Sequence, residues 1–317
     1  MTRWVPLAAG VLAAVVAIVL IAAQVLSGVQ PWGQLLTDNF VFARSIPFTL
    51  GLGVAFGAYR AMGRRPPSVE RRAGDGALRR FARGTAVMHW VISVGFLLAL
   101  VTGAWQYLKG LLAVESRIDM PLVYRVHYVG ATLLLFGVAH FVTYWLMDTR
   151  HPLSVPSGQW IRHLRGMAHE LPRPLGSALA AMLGLDMRRQ APPAGEFTYY
   201  EKVFSFPTWV ILIGLIVITG ILKALRYIYP IPGDLLWWVS AIHVGAMVGL
   251  AVKLLDHVRY VLAPSRWPLL VASYTTWISR GYAARAHPAW LETAEEPAAE
   301  QPSGAPAAQP VASQGTP

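Results

Sequence analysis

Histidines in apolar segments are the residues of this chain most able to do chemistry. Five of the nine lie within or at the ends of such segments: His89, His127, His140, His243 and His257. Ionisable side chains are rare in membrane segments and are usually functional there. Two neutral imidazoles from two helices can hold a b-type haem, and no cysteine is present to hold a thiolate cluster or covalent haem. The residues therefore predict iron porphyrins with nitrogen ligands only.

The spacing of these histidines predicts two haems. His243 and His257 are 14 residues apart, which on a helix leaves them about 40° apart around the axis and about 21 Å apart along it. One helix face would then serve two stacked sites. His127 matches the depth of His243 in its own segment, and His89 matches that of His257. We expect two b-type haems, one in each leaflet of the membrane.

His140 does not fit this pattern. It follows His127 by 13 residues, a step that turns a helix by about 140°, so both cannot face one bundle interior. We expect His140 to be a hydrogen-bonded packing residue or a donor at a quinone site. Two alternatives stay open: haems held by His127/His140 against His243/His257, as in ferric reductases or the large respiratory cytochrome b, and a haem-free transporter with a histidine proton relay.

Charged residues near one end of the apolar segments suggest a site for quinone. Lys253 and Asp256 lie beside His257, and Glu201 and Lys202 open the fifth segment. A quinone takes up protons together with electrons and therefore needs acidic or basic groups in contact with water. The alternative for Lys253 and Asp256 is a simple ion pair at spacing i,i+3.

Small residues flank the predicted ligands, and they have two interpretations. They can leave room for a flat macrocycle, or they can let helices approach closely in lipid. The set comprises Gly84, Gly103, Gly130, Gly137, Gly245, Ala246 and Gly249.

The elements that would position these residues are membrane helices. The chain has 317 residues, of which 55% are hydrophobic and only 14% charged, with a mean hydropathy of +0.45. An ordinary soluble domain carries roughly 25% charged residues, so this class is excluded. We predict an all-α membrane protein with six transmembrane helices, the last four forming a dihaem bundle. The spans are predicted at 4–28, 43–63, 85–108, 122–147, 203–223 and 235–258.

Basic residues predict how the chain is oriented. Outside the spans and at their ends, 20 Lys and Arg residues fall on one side and six on the other. This distribution predicts that both termini of a multi-pass protein of a bacterial inner membrane lie in the cytoplasm. The net charge of +11 then reflects topology. We expect membrane lipid, and no nucleic acid, among the partners. The first segment is long for a signal peptide, and we expect an uncleaved anchor helix.

Composition divides the chain into four parts. Residues 1–80 hold two helices and a basic loop, 81–265 the four-helix bundle, 266–296 a cytoplasmic segment, and 297–317 an Ala- and Pro-rich tail expected to be disordered. The long loop at 148–202 is expected to contain a short amphipathic helix near Gln159 to Glu170.

Several stretches between Phe81 and Leu262 resemble one family. They are FARGTAVMHW and GFLLALVTG in the third span, YRVHYVG in the fourth, GEFTYYEKVF and GLIVITGIL around the fifth, and IHVGAMVGLAVKLLDHVRYV in the sixth, followed by RAHPAWLE. Their order and spacing are similar to those of the cytochrome b (gamma) subunit of membrane-bound formate dehydrogenases and of its relatives in other molybdenum oxidoreductases.

The resemblance implies an electron-transfer subunit without a substrate-oxidising centre. His127 and His243 would hold the periplasmic haem, and His89 and His257 the cytoplasmic one. The partners would be an iron-sulfur subunit and a molybdenum catalytic subunit on the periplasmic side, together with the quinone pool. The implied quinone site lies near Thr198, Glu201 and Asp256, where Thr198 replaces the asparagine usual in the family. The two N-terminal helices and His140 are not part of the family pattern.

Overall fold

The structure is a computed structural model that describes residues 4–26, 38–63, 70–72, 75–113, 118–147, 153–188 and 193–295. The predicted Ala- and Pro-rich tail lies outside these ranges. The elements in chain order are α1 (Val5–Leu26), α2 (Asp38–Met62), β1 (Leu78–Arg79), α3 (Arg83–Leu112), α4 (Met120–Met147), α5 (Trp160–Glu170), α6 (Arg173–Met182), α7 (Glu201–Leu225), α8 (Gly233–Leu262), α9 (Trp267–Thr275), β2 (Trp277–Ile278), α10 (Arg280–Ala286) and α11 (Pro288–Glu295).

Among the described residues, five helices are long and apolar enough to cross a membrane. They are α2, α3, α4, α7 and α8, whose best 18-residue windows have mean hydropathies between 1.5 and 2.3. They correspond to the second to sixth predicted spans. The first helix, α1, is also apolar, but its part with described side chains, Val5–Val19, is shorter than a span. Six spans therefore stay a prediction, whereas an all-α protein of membrane type is what the helices show.

Apolar side chains on the outside of these helices explain why the bundle suits lipid. Leu255 is 70% exposed, Val101 65% and Ile211 61%. A soluble monomer rarely exposes large contiguous apolar patches. In a bilayer the same surface is satisfied by acyl chains, and the helical backbone satisfies its own polar groups.

The helices pack in two groups. Helix α1 packs on α2, α2 on α4, and α4 on α3, while α7 packs on α8. Small residues allow the close approaches: a Cβ at Gly51 would lie 2.8 Å from the backbone of α1, and one at Gly130 would lie 2.6 Å from the backbone of α3. This is the small-residue packing that helices use in lipid.

One end of the bundle carries a small folded cap. Strand β1 pairs antiparallel with β2, so that Leu78 opposes Ile278. Both side chains are buried in a cluster with Ala272, Tyr282 and Ala283. The segment before α3 and the segment after α8 therefore form one unit, which we call the cap. We call the end where α3 and α7 begin the capped end, and the opposite end the open end.

Two short helices lie in the long loop. Helix α5 confirms the predicted amphipathic helix, and α6 follows it without having been predicted. Helix α5 packs at the start of α7, where Gly166 lies flat against the ring of Tyr199: a Cβ at Gly166 would come within 2.4 Å of that ring. The loop is thus attached to the capped end.

Candidate functional site

The predicted ligands lie on two helix hairpins that face each other. His89 and His127 belong to the hairpin of α3 and α4, and His243 and His257 belong to α8 in the hairpin of α7 and α8. Within each hairpin the helices contact each other extensively, whereas α3 and α8 touch at far fewer places. His89 is close enough to His257, and His127 to His243, for each pair to interact electrostatically. The two histidines of each pair predicted from depth therefore lie on facing hairpins, within range of electrostatic interaction.

The pair near the open end is held by two threonines. Nδ1 of His127 lies 3.0 Å from Oγ1 of Thr102, and Nδ1 of His243 lies 2.9 Å from Oγ1 of Thr219. Each threonine hydroxyl is within donating distance of a carbonyl of its own helix, so its oxygen is left to accept from the imidazole. The hydrogen-bond pattern thus assigns the proton to Nδ1 and the free lone pair to Nε2.

A glycine follows each of these threonines and gives the imidazole room. A Cβ at Gly103 would lie 3.2 Å from Cε1 of His127, and a Cβ at Gly220 would lie 3.4 Å from Cε1 of His243. The two rings therefore rest against bare backbone. The Thr-Gly pair occurs once in each hairpin, on the helix opposite the histidine.

The pair near the capped end is held differently. The ring of His257 meets Trp209 edge to face with centroids 6.0 Å apart, and that of His89 meets Trp90 in the same way at 5.4 Å. Neither imidazole makes a hydrogen bond within the part of the chain that the structure describes. The nitrogens of both rings are thus available to a ligand.

An apolar layer separates the two levels. Phe96, Leu134 and Leu250 are buried there, and Trp209 packs edge to face on Phe96 with centroids 5.7 Å apart. Ile92, Leu100 and Leu212 are among the apolar side chains that pack against it. Groups above and below it therefore lie in surroundings of low dielectric constant.

The two histidines at each level could hold the iron of a haem. The fit rests on two histidines from facing hairpins at the same depth, on free ring nitrogens, and on hairpins that touch little. A site for a bare metal ion is not supported, because no group of three or more His, Asp or Glu side chains with metal-binding geometry occurs among the described residues.

His140 faces away from this interior. Its side chain is only 3% exposed, and Nε2 lies 2.9 Å from the guanidinium of Arg60 on α2. Phe56 of α2 and Tyr144 also lie against its ring. This is the packing role expected from the helical angle, and the arrangement does not favour the alternative in which His127 and His140 face His243 and His257 as haem ligands.

The small residues serve mainly in helix packing. Gly130, Gly137 and Gly249 each leave no room for a Cβ, because a neighbouring helix lies within 3 Å of that position. Gly103 alone of the predicted set faces a histidine ring, and Gly245 faces open space. Close helix packing therefore explains Gly130, Gly137 and Gly249, whereas room beside a predicted ligand applies to Gly103.

Thr198 and Glu201 form a capping box at the start of α7. Oε2 of Glu201 accepts hydrogen bonds from the backbone amide and the hydroxyl of Thr198 at 2.8 and 3.0 Å, while the amide of Glu201 donates to the Thr198 hydroxyl at 3.2 Å. Such reciprocal bonds satisfy amides that a helix start leaves free. Thr198 is 4% exposed, so this predicted quinone residue has a structural role as well.

Glu170 of α5 completes the same helix start. Its carboxylate accepts hydrogen bonds from the amides of Tyr199 and Tyr200 at 3.0 and 2.7 Å. Neighbouring protein crowds this carboxyl and raises its pKa, and the two amide bonds act in the opposite direction. Glu170 could not be singled out from the sequence, because only the folded loop brings α5 to α7.

Asp256 is held by three donors. Its Oδ2 accepts from Lys253 and from the hydroxyl of Tyr200, each at 2.7 Å, and its Oδ1 accepts from Arg259 at 3.1 Å. Lys253 is 4% exposed, so the predicted i,i+3 ion pair exists and is largely buried. Tyr260 lies close to Glu201 and stacks on Tyr200 with centroids 6.3 Å apart. The two groups of predicted quinone residues are thus neighbours without a direct hydrogen bond.

Arg80 fixes the segment that leads into this region. It is 5% exposed, its Nη1 lies 2.9 Å from Oε1 of Glu196, and its Nη2 also donates to the Glu196 carbonyl. The rings of Phe197 and Trp290 lie about 5 Å from the guanidinium. Burial lowers the pKa of Arg80, and the charge of Glu196 opposes that shift.

A buried histidine of the cap supports the same segment. His287 is 0% exposed, and its Nδ1 lies 3.0 Å from the carbonyl of Gly195, to which it donates. Burial, followed by the charge of Arg80, lowers the pKa of His287 to about 4. The segment before α7 is therefore held from both sides.

The chain was compared with protein-family models and with curated proteins. No protein-family model matches the chain, and no curated protein matches it significantly.

Proposed function

We propose that the chain is a membrane electron-transfer subunit, a b-type dihaem cytochrome. The observation that carries this proposal is the pairing of histidines across the two hairpins at two depths. His127 and His243 would hold one haem, and His89 and His257 the other. When bound, haem iron supplies reversible one-electron transfer.

The protein around these ligands does what such a subunit requires. The two hairpins supply the ligands from fixed helices, and the buried layer at Phe96, Leu134 and Leu250 keeps water away between the levels. His243 and His257 are separated by 14 residues of one helix, or about 21 Å of rise. A chain of this design connects redox partners on the two sides of a membrane.

Charge and sequence resemblance support the choice of partners. We propose that the capped end and both termini face the cytoplasm at a bacterial inner membrane, because the basic loops lie on that side. The resemblance to formate dehydrogenase gamma subunits supports a periplasmic iron-sulfur subunit with a molybdenum catalytic subunit. We therefore propose electron transfer between such a periplasmic oxidoreductase and the quinone pool, without a substrate-oxidising centre on this chain.

The quinone would bind at the capped end, near Thr198, Glu201, Asp256 and His257. Lys253, Tyr200 and Arg259 all donate hydrogen bonds to the carboxylate of Asp256 and stabilise its ionised form. We therefore propose that Asp256 positions these side chains and does not exchange protons with the quinone. Among the described residues, hydrogen bonds to the carboxylate of Glu201 reach only Oε2. Its Oε1 is free to carry a proton, and we propose Glu201 as the group that exchanges protons with the quinone.

Single alanine variants of the histidines test the haem assignment. We expect His127→Ala or His243→Ala to lose one of two haems, and His89→Ala or His257→Ala to lose the other, as seen by optical spectra of the purified full chain. His140→Ala is the matched control, because His140 is also a buried histidine of α4 but contacts Arg60 of α2. This variant should keep both haems. Retention of two haems by His89→Ala would contradict the assignment, and a colourless unmodified chain would favour a transporter.

A further inference from the structure

We propose that Thr102 and Thr219 are positioning residues that set the redox potential of the haem nearer the open end. This inference rests on the proposed function, because it concerns the ligands of that haem. It adds a specific role for two residues that neither bind iron nor contact quinone.

The geometry is the same in both hairpins. Thr102 precedes its histidine by 25 residues and Thr219 precedes His243 by 24, and each contact crosses from the first helix of a hairpin to the second. Each hydroxyl also lies close to the carbonyl four residues earlier in its own helix, at 2.5 Å for Thr102 and 2.6 Å for Thr219. The hydroxyl hydrogen is therefore engaged, and its oxygen faces the imidazole as an acceptor.

This arrangement fixes both the orientation of the ring and the position of its proton. With Nδ1–H donating to threonine, Nε2 carries the lone pair that iron needs. The carbonyls of Ala99 and Ile216 lie beside the same two rings. A carbonyl only accepts hydrogen bonds, so its presence agrees with a proton on Nδ1.

The electronic consequence follows from the same contact. A histidine ligand that donates its second ring N–H becomes more basic, which stabilises oxidised iron relative to reduced iron and lowers the potential. The imidazoles of His89 and His257 make no hydrogen bond within the described part of the chain. The effect should therefore be confined to one of the two haems.

Two substitutions separate hydrogen bonding from packing. Thr219→Val keeps the shape of the side chain and removes the hydroxyl, whereas Thr219→Ser keeps the hydroxyl and removes a methyl group. Thr132→Val is the control, because the Thr132 hydroxyl also donates to a carbonyl of its own helix, at 2.8 Å, but contacts no histidine. The same pair of substitutions applies to Thr102.

The experiment is a redox titration of the full chain, followed by absorbance, with haem content measured in the same samples. In Thr219→Val, the potential of the haem lost in His243→Ala should rise. At the unmodified midpoint, the ratio of oxidised to reduced iron should change by about three- to tenfold, tenfold being about 59 mV for one electron. Thr219→Ser and Thr132→Val should match the unmodified chain.

Other outcomes are also decisive. Loss of that haem in Thr219→Val with retention in Thr219→Ser also supports the positioning role. An unchanged potential in the valine variants of both threonines, or an equal change in Thr219→Ser, overturns it while leaving the histidine assignment intact. Absence of haem from the unmodified chain would instead refute the proposed function.

Discussion

Replacement of Arg80 by methionine should release the segment that leads into α7. The variant keeps a side chain of similar length but loses the ion pair to Glu196 and the contact with its carbonyl. The side chain of Arg80 is 2% exposed and that of Glu196 is 30% exposed. Loss of one partner therefore leaves a carboxylate that water reaches in part.

The size of the effect follows from this burial. Breaking a fully buried pair costs about 3–5 kcal/mol, and the partial exposure of Glu196 points to the lower end, about 3 kcal/mol. Since about 1.4 kcal/mol corresponds to a factor of ten, the equilibrium for opening the segment should rise by roughly a hundredfold. The amide of Ala289, which donates to the Ala194 carbonyl at 3.2 Å, reports this opening.

Hydrogen exchange of the purified chain, measured by mass spectrometry, is the assay. Exchange at Ala289 should accelerate by roughly a hundredfold in Arg80→Met. The control is Arg79→Met, because Arg79 pairs with Glu70 at 2.7 Å on the surface, with side chains 23% and 54% exposed. Such a surface pair contributes about 0–1 kcal/mol. Equal exchange in the two variants would refute the argument that Arg80 holds the segment.

Three further predictions concern other parts of the chain. The cap should lose stability as the pH falls from about 6.5 towards 4, because the unfolded chain binds a proton at His287 that the folded cap excludes. The melting temperature measured as a function of pH should show this loss, and His287→Gln should make the melting temperature less dependent on pH. Asp256→Asn should lower the melting temperature more than Arg259→Gln, since it leaves the buried Lys253 without its carboxylate partner. Gly130→Val should strongly reduce folded protein in detergent, whereas Gly110→Val should not, because a Cβ at Gly110 meets nothing within 4 Å.

The helices could be predicted from the sequence because lipid leaves the backbone few alternatives. Long uncharged runs must form helices there, and the observed α3, Arg83–Leu112, and α8, Gly233–Leu262, extend the predicted spans by a few residues at each end. The side of α4 that carries His140 was also predictable. A helix turns by about 100° per residue, so the 13 residues from His127 to His140 place the two side chains about 140° apart around the axis.

The cap and the threonines could not be predicted in the same way. The pairing of Leu78 with Ile278 joins positions 200 residues apart, in strands of only two residues each. Thr102 and Thr219 reach the histidines only when neighbouring helices take a particular rotation, which one segment alone does not specify. The repeated Thr-Gly pair in VTG and ITG was the available signal.

The central claim is that paired imidazoles hold two iron porphyrins within this chain. The most direct measurement is the protohaem content of the unmodified purified chain, determined as the pyridine haemochrome against an amino-acid analysis of the same sample. The account predicts about two b-type haems per chain. A chain that is folded, judged by its helical circular dichroism, and binds no haem would contradict it.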